Sequence, residues 1–230
     1  MTAGAAEIVR IAPAGDAALL LEFPQRIDPA INARAIVVAD RVRRRCGAAV
    51  RDAVVGYATV TVYFDPLVVD AAWMEAELRD AAGAPDDPPE AAAPAIEVPV
   101  CYDAELGPDL ADVAAFGGLT EEETITLHSD VLYRVYMLGF VPGFAYMAAV
   151  DSRIAAPRRS SPRPSVPPGS VAIAGLQTGI YPAVTPGGWN IVGRTPIRPY
   201  DPSRRNPFLF RPGDSVRFRA ISREIYDRTR

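Results

Sequence analysis

The 230-residue sequence contains no lysine, so all 24 of its basic residues are arginines. A P-loop lysine, a Schiff base to pyridoxal phosphate and a biotin attached to a lysine are therefore excluded for this chain. The sequence has one histidine, His128, which excludes a metal site made of several histidines. The two cysteines, Cys46 and Cys101, form no CxxC pattern, so they indicate neither a zinc site nor a disulfide framework.

Long apolar runs are also missing. No run reaches the roughly 18 residues that a membrane-spanning helix needs, and the first ten residues contain no apolar signal-peptide core. We therefore expect a cytoplasmic protein whose cysteines are free thiols. A hydrophobic content of 49% and a charged content of 23% predict an ordinary globular chain, long enough for one large domain or two small ones.

The net charge of −4 is spread unevenly along the chain. Residues 161–230 carry 11 arginines and 4 acids, whereas acids outnumber arginines in the rest of the sequence. The acidic overall balance argues against a nucleic-acid-binding protein. The basic last third suits an anionic ligand or an acidic partner surface, and a solvent-exposed arginine-rich face explains it equally well.

Residues 1–82 predict a small α/β sandwich with the element order ββαββα. Asp28 and Pro29 are typical of the start of a helix, which Gly47 ends, and Asp70 begins a second helix that closes at Gly83. The four strands are predicted at residues 8–11, 17–23, 50–55 and 58–64.

Residues 83–95 are rich in proline, alanine and acids, and they predict a linker. The second domain, residues 96–230, then changes character along its length. Residues 157–212 hold 12 of the 23 prolines, which excludes long helices there. Many short strands between glycine and proline turns are typical of a barrel or a sandwich. The predicted strands are residues 96–101, 133–138, 170–174, 188–192, 208–210 and 215–220, and the predicted helices are residues 109–116 and a segment that starts at the Thr120–Glu123 capping box.

The most informative motifs lie between residues 128 and 196, and they combine glycine, proline, aromatic rings and arginine. Glycine lets backbone approach a ligand closely, arginine can bind a carboxylate or a phosphate, and aromatic rings can wall a pocket. The same mixture is typical of barrel corners, so spacing alone leaves both interpretations open. The motifs are GFVPGFAY (139–146), PR (157–158), PR (162–163), VPPGSV (166–171), QTGIYP (177–182), PGGW (186–189) and GRTP (193–196).

In this order, the motifs resemble the KipI family, which includes the B subunit of the bacterial ATP-dependent 5-oxoprolinase and the first subunit of allophanate hydrolase-type proteins. GDAALL (15–20) and FDP (64–66) extend the resemblance over nearly the whole chain. Thr185 and Pro168 depart from the family pattern, where a serine and a small residue are usual. The resemblance implies an α+β fold, with a small N-terminal α/β domain followed by a C-terminal cyclophilin-like β-barrel.

The resemblance also implies a protein that works only in a complex. Together with a homologous second subunit of the KipA type and a third oxoprolinase subunit, it would open 5-oxo-L-proline to L-glutamate while ATP is hydrolysed. The sequence has neither a Walker A motif nor GxGxxG, so ATP is expected to bind through the complex. Two alternatives stay open: a KipI-like inhibitor that binds a sensor histidine kinase, and a component of the allophanate hydrolase or urea amidolyase type, which contains a carboxyltransferase-like unit.

The motifs contain the predicted site residues, and no metal ligands are predicted. A packed role in the core is the alternative for His128, and a surface salt bridge is the alternative for each arginine. The predicted catalytic residues are His128, Arg158, Arg163 and Gln177. The predicted substrate-binding residues are Phe140, Gly143, Phe144, Tyr146, Gly169, Ser170, Thr178, Gly179, Tyr181, Gly187, Gly188, Trp189 and Arg194.

Overall fold

A computed structural model of the protein describes residues 8–85 and 93–229. The chain divides into two compact units, residues 1–92 and 93–230. The predicted linker, residues 83–95, overlaps this division, and its residues 86–92 lie outside the described part of the chain. Within the described ranges, no helix is both long and apolar enough to cross a membrane.

The first unit contains a four-stranded antiparallel sheet with the strand order β1-β2-β4-β3. Its strands are β1 (Arg10–Pro13), β2 (Ala18–Glu22), β3 (Val50–Val55) and β4 (Thr59–Phe64). Side chains alternate between the two faces of a strand, and in β4 this alternation buries Val60, Val62 and Phe64. One face of the sheet is therefore apolar and must be covered.

Two helices cover that face. Helix α1 (Pro29–Cys46) begins where predicted, because the Asp28 carboxylate accepts hydrogen bonds from the first backbone N–H groups and Pro29 needs no such partner. Helix α2 (Ala71–Gly83) is capped in the same way by Asp70. Apolar side chains of both helices join those of the sheet in one buried core. The predicted α/β sandwich is confirmed.

The second unit is built on a seven-stranded sheet with the order β12-β9-β10-β7-β6-β13-β5. All neighbours in it are antiparallel except β13 and β5, and the remaining strands, β8 and β11, form a separate pair. The strands of this unit are β5 (Ile96–Val100), β6 (Leu132–Leu138), β7 (Ala145–Ala148), β8 (Arg163–Val166), β9 (Ser170–Ala174), β10 (Gln177–Ile180), β11 (Thr185–Gly187), β12 (Asn190–Arg194) and β13 (Ser215–Ala220).

The two outer strands of this sheet meet, which closes it into a barrel. Just beyond β5, the N–H of Cys101 donates to the carbonyl of Arg194 in β12 at 2.8 Å, and the Arg194 N–H donates back at 2.9 Å. A Cβ on Gly193 would lie 2.8 Å from the Cys101 carbonyl oxygen, so this approach requires glycine. The barrel interior is filled by one apolar cluster. The expected α+β class, with an N-terminal sandwich and a C-terminal barrel, is confirmed.

Three helices accompany the barrel. They are α3 (Leu110–Gly117), α4 (Glu121–Ser129) and α5 (Arg223–Thr229). Helix α4 starts with the predicted capping box, in which Thr120 and Glu123 bond each other's backbone N–H. The predicted strand at residues 208–210 is wrong, because only Phe208 pairs there, through an isolated bridge to Tyr200. The sequence reasoning also missed α5 and the strands β7, β8, β10 and β11.

Candidate functional site

A pocket of about 190 Å³ with mostly aromatic and proline walls lies at one corner of the second unit. We call it the aromatic pocket. Phe144 stands at its centre and makes edge-to-face contacts with Tyr146, Tyr181 and Trp189 at ring-centroid distances of 4.8, 5.2 and 5.4 Å. Such contacts are favourable beyond the area that they bury. The pocket is lined by Phe140, Phe144, Tyr146, Arg158, Arg159, Pro162, Tyr181, Pro186, Gly187, Gly188 and Trp189.

The shape of the pocket depends on the glycine at position 187. A Cβ there would lie 2.4 Å from the Tyr181 hydroxyl oxygen and 2.8 Å from two ring carbons, so a side chain would displace the buried Tyr181 ring. The neighbouring Gly188 is different, because a Cβ there would lie 3.6 Å from its nearest neighbour, a Pro162 carbon, which is an ordinary van der Waals contact. Tyr181 can therefore line the pocket in this position only because residue 187 is glycine.

Arg158 supplies the positive charge of the pocket. Its guanidinium lies over the Trp189 ring, 5.9 Å from the ring centroid, in a cation–π contact. Within residues 8–85 and 93–229, no carboxylate forms an ion pair or hydrogen bond with this side chain. Its hydrogen-bond donors are thus available for an anionic group that enters the pocket.

The two tyrosines of the pocket stay protonated at neutral pH. Burial raises the pKa of Tyr181, and a hydrogen bond from the Trp189 backbone opposes this only in part. Burial also raises the pKa of Tyr146, and the charge of Arg158 opposes it. Both hydroxyl groups therefore keep their protons near neutral pH and do not act as bases.

Phe140 stands at the rim of the pocket in an unusual backbone conformation. Its φ of +68° lies in the left-handed region, which a bulky residue rarely adopts. Its side chain is 58% exposed and touches Phe144 and Tyr181 by its edge. Strained backbone of this kind is found at ligand sites more often than elsewhere.

A buried carboxylate, Asp109, fixes the loop that carries Arg158. It accepts hydrogen bonds from Arg159 at 2.7 Å, from both terminal nitrogens of Arg163 at 2.7 and 2.8 Å, and from the Ile191 N–H at 2.7 Å. The hydrogen bonds to Asp109 raise the pKa of the Arg163 guanidinium. We call this arrangement the Asp109 clamp. Arg163, predicted as catalytic, is therefore a member of the clamp and does not line the pocket.

The sequence reasoning did not single out Asp109. Its position directly before α3 indicates an ordinary helix cap, yet its carboxylate makes no capping hydrogen bond. Its partners lie 50 to 82 positions later in the chain. A local pattern could not reveal them.

His128 lies in the barrel core. Its Nδ1 is 2.7 Å from the Tyr102 hydroxyl, its Nε2 is 2.9 Å from the Thr178 hydroxyl, and its ring stacks on Phe218. The residue is 1% exposed, and burial lowers the pKa of its imidazole to about 3. The structure thus places His128 as a neutral packing residue outside the aromatic pocket, and Thr178 lies beside it.

The other predicted site residues are distributed around the barrel. Gln177 pairs with Ala148 and Ala174 within the sheet and does not line the aromatic pocket. Gly179 lies beneath the Phe144 ring, and Ser170 is fully buried with an unpartnered hydroxyl. Gly143 lines a separate apolar depression together with Phe140, whereas Gly169 and Arg194 line a second, proline-rich pocket. The described residues contain no group of three or more histidine, cysteine or acidic side chains that could hold a metal ion.

Comparison with known proteins places this architecture in a family. Residues 9–210 match the sequence model of the carboxyltransferase domain, subdomain C and D. The chain is 39% identical over 224 residues to the B subunit of 5-oxoprolinase from Bacillus subtilis (strain 168), and the match covers 92% of each protein.

Two solved structures support the fold. The crystal structure of TTHA0988 is 40% identical, with a TM-score of 0.81 over 89% of this chain, and this chain spans only 40% of the TTHA0988 chain. The Kluyveromyces lactis urea amidolyase shares the fold at 18% identity, with a TM-score of 0.77 over 96% of this chain and 16% of the amidolyase. On the sequence match and the shared fold together, the chain belongs to the carboxyltransferase-domain family that includes the B subunit of 5-oxoprolinase.

Proposed function

We propose that this chain is the B subunit of an ATP-dependent 5-oxoprolinase, which opens 5-oxo-L-proline to L-glutamate together with partner subunits. In this proposal the aromatic pocket holds the substrate. The observation that carries it is Arg158, a guanidinium with no carboxylate partner among the described residues, placed over the ring of Trp189 in a pocket with aromatic walls. The name of the Bacillus subtilis relative supports the choice of substrate.

The chemistry of the pocket fits the substrate. 5-Oxo-L-proline is a small, flat ring with one carboxylate and one cyclic amide. Arginine binds a carboxylate through two parallel hydrogen bonds, so Arg158 would take that group. The ring would lie against Phe144 and Trp189, and a protonated Tyr146 or Tyr181 hydroxyl would donate to the amide oxygen. A pocket of about 190 Å³ suits a ligand of this size better than a drug-sized one.

Ring opening breaks the bond between the carbonyl carbon and the ring nitrogen. The oxygen of water becomes part of a new carboxylate, and the nitrogen leaves as an amine that takes up a proton. ATP hydrolysis supplies the driving force. Hydrogen bonds from tyrosine to the carbonyl oxygen would stabilise the charge that develops there.

The partner subunits complete the site in this proposal. The lining of the aromatic pocket includes no carboxylate and no imidazole, so the proton-transferring group would come from another polypeptide. This chain matches one part of the longer TTHA0988 chain, which is consistent with a unit that works beside further polypeptide. The exposed rings of Phe140 and Phe208, on the depression next to the pocket rim, offer an apolar contact for such a partner.

The test is reconstitution of the chain with its homologous second subunit and a third oxoprolinase subunit, followed by measurement of ATP hydrolysis that depends on 5-oxo-L-proline. In the active complex, Arg158→Gln should raise the KM for 5-oxo-L-proline at least tenfold, since it removes a charge-assisted contact of about 1.5–3 kcal/mol. Arg158→Lys should recover only part of this loss, because lysine lacks the planar fork. The exposed Arg219→Gln on β13 removes the same charge elsewhere and serves as the control.

Two results would contradict the proposal. A complete complex without substrate-dependent ATP hydrolysis would refute the function, and tight binding to a sensor histidine kinase would then favour the inhibitor alternative. An active complex in which Arg158→Gln and Arg219→Gln have the same KM would leave the function standing and remove the aromatic pocket from it.

A further inference from the structure

The second unit contains a proline-rich pocket of about 240 Å³ that shares no residue with the aromatic pocket. Four of its lining residues are prolines, whose fixed φ angles make the walls rigid. Arg194 and Arg198 both line it, and no acidic residue does. The pocket is therefore a preformed, positively charged hollow. It does not depend on the proposed function.

Neither of the two arginines is paired with an acid in the described part of the chain. In the part of the chain that the structure describes, neither guanidinium forms an ion pair or a side-chain hydrogen bond with a carboxylate, and the Nε of Arg194 is buried without any hydrogen-bond partner. The charge of Arg198 acts on Asp201, whose pKa is lowered first by hydrogen bonds from Ser203 and only last by Arg198. Asp201 is thus already engaged by Ser203 and Arg204.

The backbone around Arg194 is held in one geometry. The N–H of Thr195 donates to the Gly169 carbonyl at 2.9 Å, and a Cβ on Gly169 would lie 2.4 Å from the Thr195 carbonyl oxygen. Gly169 has a φ of +79°, which an L side chain would strain. The Thr195 hydroxyl accepts from the Ile197 N–H at 3.2 Å, which leaves its own proton for a ligand.

We infer that this pocket is a binding site for a small phosphate-bearing ligand. Two arginines offer about two positive charges, which a phosphate near neutral pH balances and a single carboxylate does not. The volume is below the roughly 300–1,000 Å³ of drug-sized sites, so the site suits a phosphate group with few further atoms. An unpartnered, partly buried arginine gains most when an anion supplies its missing acceptor.

Inorganic phosphate is the probe, titrated into the full chain at low ionic strength. Binding is measured by calorimetry and by the NMR signals of the arginine Nε–H groups. We expect saturable binding near one equivalent, with a shifted Arg194 Nε–H signal. Arg194→Gln and Arg198→Gln should each weaken binding at least tenfold, and acetate should bind at least tenfold more weakly than phosphate.

Arg219→Gln, an exposed arginine on β13, is the matched control and should bind phosphate like the original chain. Arg198 is itself exposed, so Arg198→Gln keeps the test valid even where Arg194→Gln fails to fold. The inference is overturned by the absence of saturable phosphate binding. It is equally overturned where Arg198→Gln and Arg219→Gln bind alike, or where acetate matches phosphate.

Discussion

The Asp109 clamp allows a direct test of what stabilises the second unit, residues 93–230. Asp109→Asn keeps the shape of the side chain but replaces one acceptor oxygen by an NH₂ group. The remaining oxygen can still accept from the Ile191 N–H, whereas the NH₂ donors would face the guanidinium donors of Arg159 and Arg163. Three charge-assisted hydrogen bonds are therefore lost or weakened.

The expected magnitude follows from burial. Removal of one partner from a buried ion pair costs about 3–5 kcal/mol. The Asp109 side chain is 2% exposed, but those of Arg159 and Arg163 are 33% and 24% exposed and can regain water. We therefore expect Asp109→Asn to lower the free energy of unfolding by about 3 kcal/mol, at the low end of that range. With a urea dependence of about 2 kcal/mol per molar, the midpoint falls by about 1.5 M.

Trp189 provides the assay, because it precedes Asn190 and Ile191 at the edge of the clamp. The chain has only two tryptophans, so a Trp73→Phe background makes fluorescence report the second unit alone. Asp130→Asn, at an exposed carboxylate directly after α4, is the matched control and should change the free energy of unfolding by less than about 0.5 kcal/mol.

The reasoning fails where Asp109→Asn and Asp130→Asn unfold at the same urea concentration. A double-mutant cycle adds a second criterion. Arg163→Gln combined with Asp109→Asn should cost clearly less than the sum of the two single changes, because the two side chains share hydrogen bonds. Strict additivity would show that the contact contributes nothing to stability.

Three further predictions concern single positions. Between pH 7 and 5 the unfolded chain takes up a proton on His128 and the folded chain does not, so the free energy of unfolding should fall by about 2 kcal/mol. This pH dependence should disappear in His128→Gln, and an equal pH dependence in both proteins would contradict the prediction. Gly187→Ala should displace Tyr181 and lower the free energy of unfolding, measured in urea, by about 1–3 kcal/mol. Gly188→Ala should lower it by less than half of that amount, and similar decreases in both variants would argue against a packing role of Gly187. Ser170→Ala removes a buried hydroxyl without a partner, so its unfolding midpoint should stay unchanged or rise, and a loss above about 1 kcal/mol would reveal a missing hydrogen bond.

Local signals in the sequence predicted the elements that local interactions define. Asp28, Pro29 and Gly47 mark both ends of α1, and the Thr120–Glu123 capping box marks the start of α4. The short strands β8, β10 and β11 were missed because glycine and proline interrupt their pattern. Partners about 20 to 30 residues away along the chain also hold them in place, β11 for β8 and β7 for β10. Helix α5 was missed because its support is charge pairing, such as Arg223 with Asp227, rather than an apolar stripe.

In the candidate site, too, the sequence identified residue types but not the contacts between distant parts of the chain. The aromatic residues and Arg158 were identified by type, and the fold brings them to one pocket. Gln177 was grouped with them because it lies between glycines, yet strand pairing directs it elsewhere. Arg163 and Arg158 look alike in sequence, and only the distant Asp109 distinguishes them.

The barrel has a seam. Its two outermost strands are joined by a pair of backbone hydrogen bonds between Cys101 and Arg194, and the same Arg194 extends its side chain into the proline-rich pocket. The backbone that shuts the cylinder and the guanidinium that would bind an anion thus belong to one residue. Deuterium uptake at these two amides would therefore report both on how often the cylinder opens and on whether that guanidinium is occupied.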